Sequence, residues 1–229
     1  MGRPGVTHQG IFFIRGAMSR KVSFFIDGFN VYHSLKPYDH KSRRYSREYV
    51  KYLWLDFMNL ANRFTAKNDQ LSEVFYFTAL AYWRPEAEAR HKIFISALEN
   101  EGVKVIRGNF KEKDRFCRYC GASYKAHEEK ETDVNIAVHL LNEAYKNTYD
   151  KAIIVTTDTD LIPAIQVAKS SFPNKGFGVL FPLGRWSSDL SKACDFWLKI
   201  NKKDLNACQF PEEVHLPSGV TLTRPQTWK

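Results

Sequence analysis

Six apolar runs of strand length alternate with stretches of helical periodicity along this chain, and that alternation limits the folds open to it more than any other feature. The runs are VSFFIDGFN at 22–30, VFYFTALAY at 74–82, VKVIRG at 103–108, KAIIVTTDTD at 151–160, GFGVLFPLG at 176–184 and FWLKI at 196–200. Between them lie NVYHSLK, SREYVKYLWLDFMNLANR at 46–63, PEAEARHKIFISALEN at 85–100, TDVNIAVHLLNEAYK, a helix opening after TTDTD, and the short SSDLSKA. The 46–63 stretch reads as one long amphipathic helix, with Ser46 as N-cap and Val50, Leu53, Trp54, Phe57 and Leu60 on its apolar side. Strands joined through helices need crossover connections, which make neighbouring strands parallel and cover both faces of the sheet. The expected fold is therefore α/β: a three-layer α/β/α domain with a mostly parallel central sheet. In open sheets of this kind ligands bind beyond the carboxyl ends of the strands.

Residues 21–200 hold this alternation and read as a single domain, with a charged insertion at 109–130 that carries Cys117-x-x-Cys120. Residues 1–20 read as a disordered extension, with Met18 as an alternative initiator, and 201–229 as a tail rich in turn residues. No apolar run approaches the roughly 18 residues of a membrane span, so no membrane partner is expected. Hydrophobic residues make up 44% of the chain, enough for a packed core. Four cysteines are too few for a disulfide scaffold, and a reducing cytoplasm is the expected compartment. The net charge of +9 favours phosphate-bearing partners, a solvated basic surface being the plainer alternative.

Asp27 ends one apolar run, Asp158 and Asp160 follow another, Asp133 begins a helix, and Asp195 precedes the last run. Each alone has an ordinary reading as a helix cap or a turn residue. Several carboxylates gathered at one sheet edge of a basic protein repel one another unless a cation lies between them, so together they favour a bound metal. Oxygen ligands without a histidine pair suit Mg²⁺ or Mn²⁺, which activates water and neutralises a phosphodiester. Asn30, one helical turn past Asp27, has an amide able to orient water or phosphate.

The ordered blocks FFIDGFN, EKETDVNIA, VTTDTDLIPAI and LSKACDFW resemble the NYN domain of the PIN-like nuclease superfamily, over roughly 22–200. The resemblance implies a PIN-like α/β/α fold and a metal-dependent ribonuclease. It puts Asp27, Asn30, Asp133, Asp158 and Asp160 on the acidic-site positions and Asp195 on a later aspartate.

The Cys117-x-x-Cys120-Gly121 spacing is that of a zinc knuckle, with His127 as a further candidate ligand. The remaining ligands are open: Cys194, Cys208, a carboxylate, or a second CxxC pair across a homodimer. Two functionless thiols and a redox pair are the other readings. The insertion also mixes cations with aromatics, so Arg115, Arg118 and Lys125 are candidate RNA contacts and a solvated hairpin is the alternative. Arg185 and Lys192 are candidate phosphate contacts on the active edge.

Taken together, the sequence points to hydrolysis of single-stranded or structured RNA by a metal-activated water. Asp27, Asp133, Asp158 and Asp160 would be ligands, Asn30 a positioning residue and Asp195 a support. A catalytically silent RNA-binding or scaffold module and a flap-type DNA nuclease are the rival readings.

Overall fold

The computed structural model describes residues 19–36, 38–39 and 44–229. The disordered extension expected at 1–20 falls almost wholly outside them. The chain runs β1 (Lys21–Asp27), α1 (Gly28–Leu35), the two-residue strands β2 (Tyr38–Asp39) and β3 (Arg44–Tyr45), α2 (Phe57–Phe64) and β4 (Gln70–Thr78). It continues through α3 (Pro85–Asn100), β5 (Lys104–Arg107), β6 (Asn109–Phe116), β7 (Ser123–Lys130) and α4 (Thr132–Tyr145). Then come β8 (Lys151–Val155), α5 (Ile162–Ser171), β9 (Gly176–Phe181), α6 (Ser188–Ala193) and β10 (Phe196–Lys199), followed by α7 (Lys202–Ala207), β11 (Glu213–His215) and β12 (Thr221–Thr223).

Six strands form one sheet in the order β10-β9-β8-β1-β4-β5, and every neighbouring pair is parallel. The chain winds outward from β1 through β4 to β5, returns to the middle at β8, and winds outward the other way to β10. The direction reverses between β1 and β8, and a doubly wound sheet opens its ligand crevice at that point.

Successive residues of β1 point to opposite faces, which splits the core in two. Phe24 and Ile26 join Trp54, Phe57, Leu60 and Phe94 on one side. Phe25 joins Phe75, Phe77, Ile136, Leu140 and Phe177 on the other, its ring stacked on Phe75 at 5.1 Å between centroids. Because both faces are covered, the strands read as unbroken apolar runs rather than alternating ones. Among the described residues no helix is long and apolar enough to cross a membrane.

Two sequence expectations change here. The stretch 46–63 is not one helix: a 3-10 turn at Val50–Leu53 ends before Leu55, which bridges to Gln209, and α2 starts only at Phe57. Asp56 is the competing signal, its carboxylate accepting from the Asn59 backbone N–H at 2.9 Å as an N-cap, while its own N–H donates to the Cys208 carbonyl. The break lets Trp54 bury completely and donate its indole N–H to the Pro211 carbonyl at 2.7 Å. The 201–229 segment is likewise part of the packed structure, with Leu205, Phe210 and Val214 buried in the first core and Trp228 against Trp54 and Phe94.

Candidate active site

β1 carries the chain to the switch point and stops there at Asp27, which is only 3% exposed. A carboxylate so buried needs partners. Its Oδ1 accepts from the Asn30 backbone N–H at 3.0 Å, capping α1, and its Oδ2 accepts from Asn30 Nδ2 and Thr156 Oγ1, each at 2.9 Å. The turn into α1 is possible because the next residue is Gly28: a Cβ there would meet the Phe77 carbonyl at 2.6 Å and the Tyr76 ring at 2.7 Å. Burial raises the Asp27 pKa above its ordinary value, the hydrogen bonds pull against it, and the charge of Asp158 adds to the rise.

Asn30 ties the two sides of the crevice together. Its amide nitrogen donates to Asp27 while its oxygen accepts from the Thr157 backbone N–H at 3.0 Å and from the Thr157 hydroxyl at 2.5 Å. Through these bonds Asn30 positions Asp27, a role the sequence does not suggest, and one N–H of its amide is left beyond the bond to Asp27. Thr156 and Thr157 are site residues that the sequence pattern does not mark, although the TTDTD run places two hydroxyls immediately before the acids. The Thr156 hydroxyl also accepts from the Asp158 N–H at 3.0 Å.

Asp158 caps the 3-10 turn Thr159–Leu161, accepting from the Asp160 N–H at 2.9 Å, and Asp160 lies exposed at the rim. Asp133 enters from the first turn of α4. The chain reaches that helix through Glu131 at φ 78°, a left-handed conformation, and Glu129 accepts from the Thr132 backbone N–H at 3.0 Å and from the Thr132 hydroxyl. The Asp133 carboxyl is pushed up to about 6 by burial first, then by the charges of Asp158, Asp27, Glu129 and Asp160. The four predicted aspartates therefore share one field at the crevice, and Glu129 belongs to it as well.

The Asp133 shift has a stability consequence with a definite sign. A carboxyl whose folded pKa lies above its ordinary value contributes most below that ordinary value of 3.8, and the contribution is lost as pH rises through about 6. We expect Asp133→Asn to stabilise the metal-free protein near pH 8 by on the order of 1–2 kcal/mol, discounted for partial solvent screening. The gain should vanish near pH 4. Thermal melts in chelator at both pH values measure this, and an equal effect at both would refute it.

Asp195 does not join the others. It precedes β10 and so lies at the amino-terminal edge of a parallel strand, where its Oδ2 accepts from the Phe177 N–H at 2.8 Å and its Oδ1 pairs with Lys169 at 2.7 Å. Phe177 is level with Ala152 and hence with Ser23, four residues before Asp27, about 13 Å along the strands. Asp195 is a fastening of α5 and β10 to the sheet, not a metal ligand.

The insertion is the antiparallel hairpin β6–β7, in register from Asn109 opposite Lys130 to Phe116 opposite Ser123. His127 pairs with Glu112 low on it and stacks on Trp83 at 3.7 Å between centroids. Cys117 lies five residues further out, about 17 Å away, so His127 cannot complete a site with the two cysteines. Cys194 and Cys208 are buried in the cores and cannot either. Arg115 is paired with Glu128, and Lys125 with Glu112 and Asp114, which leaves their charges largely spent within the hairpin. Arg118 is exposed at the tip, Lys192 is exposed on α6, and Arg185 donates to the His33 carbonyl at 3.1 Å beside α1.

A cavity of about 830 Å³ opens on the other flank of Gly28. Phe29, Tyr76, Trp83 and Phe110 line it, with Arg47 and Arg84 among its polar members. Within it His91 is held neutral, its pKa lowered to about 4 by burial and by Arg107, and its Nε2 lies 3.2 Å from the Thr78 hydroxyl.

Comparison with known proteins agrees with this layout. A solved structure of a protein of unknown function from Vibrio parahaemolyticus RIMD 2210633 superposes with a TM-score of 0.54 at 17% identity, covering 86% of this chain and 100% of that one. At that identity the likeness concerns the fold alone. A curated relative from Pseudomonas putida (strain DSM 28022 / S16), 6-hydroxy-3-succinoylpyridine 3-monooxygenase HspA, is 32% identical over 139 residues, which are 58% of this chain. The match spans only 43% of that relative's length. Residues 21–201 match the NYN domain, so this chain belongs to the NYN domain family and has its nuclease-like fold.

Proposed function

We propose that this NYN domain protein is a metal-dependent endoribonuclease. The convergence of Asp27, Asp133 and Asp158 at the switch-point crevice carries the reading, because the pKa values of Asp27 and Asp133 are both raised in part by neighbouring carboxylates. Hard oxygen donors under mutual repulsion fit Mg²⁺ or Mn²⁺. Among the described residues no group of three or more His, Cys, Asp or Glu side chains is arranged as a ready-made metal site. In this reading the ion would be held partly through waters. Asp27, Asp133 and Asp158 would hold it, with Asp160 at the rim. When bound, the ion supplies an activated water and neutralises charge on the phosphodiester. Asn30, Thr156 and Thr157 fix the Asp27 carboxylate in place, and Arg185 offers a cation for the RNA backbone, whereas Lys192, near the end of α6 and three residues before Asp195, lies toward the opposite edge of the sheet. The preference for RNA over DNA rests on the family.

Incubation of labelled single-stranded RNA and DNA with the purified protein in Mg²⁺, Mn²⁺ or EDTA tests this. The expected result is internal cleavage of RNA with either metal and none in EDTA. Tight RNA binding without cleavage would favour the silent module, and preferential cutting of branched DNA the flap-type nuclease. Binding to RNA should also weaken about tenfold or more between 50 and 200 mM salt, the loss from three or so phosphate contacts at a slope of about 0.7 each. A flat salt response in filter binding would count against phosphate contacts.

A second reading has its own support in the aromatic cavity. The relative is named for a pyridine derivative, and aromatic walls with Arg47 and Arg84 suit a flat heteroaromatic acid. Thermal shift with pyridine carboxylates separates the two readings, since a nuclease alone predicts no stabilisation.

A further inference from the structure

We propose that the tip of the β6–β7 hairpin is half of a zinc site, completed by the same tip of a second copy of this chain. Among the described residues the hairpin is anchored at its base, where Phe110 packs edge-on against Trp83 and Phe29 and His127 lies flat on Trp83. Beyond the base, residues 111–116 and 118–125 are all exposed. The tip is nevertheless ordered by its own hydrogen bonds: the Cys117 N–H donates to the Ala122 carbonyl at 2.8 Å and the Gly121 N–H to the Cys117 carbonyl at 2.9 Å. Gly121 takes φ 70°, a left-handed conformation that glycine adopts at little cost.

The turn holds Cys117 and Cys120 together at the end of the hairpin, with two residues between them, in the spacing of a zinc knuckle. Both cysteines are free thiols. A structural zinc takes four ligands in a tetrahedron, and this chain offers two at the tip. Among the described residues the other candidates are spoken for: His127 lies down the hairpin, Cys194 and Cys208 sit inside the cores, and the hairpin acids Glu112 and Asp114 pair with Lys125. Two tips related by a two-fold axis supply four sulfurs in an isologous contact. The same tip leaves Phe116 69% and Tyr119 100% exposed, aromatic surface that a second copy would cover.

The test uses the full chain purified under reducing conditions without added metal, and it does not depend on any nuclease activity. Light scattering should give a dimer, elemental analysis about one zinc per two chains, and X-ray absorption four sulfur neighbours at about 2.3 Å. Cys117→Ser and Cys120→Ser should each be monomeric and zinc-free with an unchanged thermal melt, since the tip touches neither core, and a zinc chelator should split the wild-type dimer. A monomer that retains zinc, a chain with no zinc, a Cys117–Cys120 disulfide by mass spectrometry, or a dimer that survives the serine variants would each overturn the proposal.

Discussion

Asp158→Asn should reduce RNA cleavage by at least ~100-fold, since even partners one step removed from a metal cost 10- to 100-fold when changed. In chelator the same variant should melt at the wild-type temperature or slightly above it. The side chain caps the Thr159–Leu161 turn by accepting from the Asp160 N–H, and asparagine caps about as well as aspartate. Removing its charge also relieves Asp27 and Asp133, whose pKa values it raises. Loss of activity with stability kept is the signature of a ligand, because a residue serving only as a cap would lose neither. Cleavage at the wild-type rate in saturating Mg²⁺ would remove Asp158 from the catalytic assignment.

How far the sequence revealed this site depended on whether the signal was local. Asp27 and Asp158 could be read because each ends an apolar run long enough to be a strand, and the ends of parallel strands share an edge. The same logic, applied to strand polarity, excludes Asp195: a residue before a strand lies at the opposite edge from one that follows a strand. The single helix at 46–63 failed because periodicity carries no information about Asp56 leaving the helix to cap the next one, or about the Cys208 carbonyl taking the Asp56 N–H. Thr156, Thr157 and the stacking of His127 on Trp83 depend on chain segments that meet only in the fold, and no spacing announces them. The parallel sheet covered on both faces, in contrast, follows from the alternation alone, whereas the reversal that puts β8 beside β1 rather than beside β5 has no signal in the sequence.

Asp27→Asn should behave differently from Asp158→Asn, although both remove one carboxylate from the same crevice. Every oxygen lone pair that Asp27 uses faces a donor: the Asn30 N–H, the Asn30 amide and the Thr156 hydroxyl. An amide NH₂ on the Oδ2 side would meet the Asn30 amide donor to donor. Asn30 cannot turn over to relieve this without giving up the two bonds its oxygen accepts from Thr157. Relief of burying a charge works the other way, since desolvation is the largest influence on Asp27. An unmet buried donor costs about 1–3 kcal/mol, and losing the cross-crevice clamp adds to it. We therefore expect Asp27→Asn to lose cleavage at least as completely as Asp158→Asn and also to lower the chelator-treated melting temperature by several degrees near pH 8, about 2–4 °C per kcal/mol at this size. Asn30→Asp in the same background should recover part of this loss, because the new carboxylate would accept from the amide introduced at position 27 with one oxygen and from the Thr157 backbone N–H and hydroxyl with the other. A melt of Asp27→Asn indistinguishable from wild type would mean that the Asn30 and Thr156 hydrogen bonds do not order the crevice, and the positioning role given to Asn30 would fall with them.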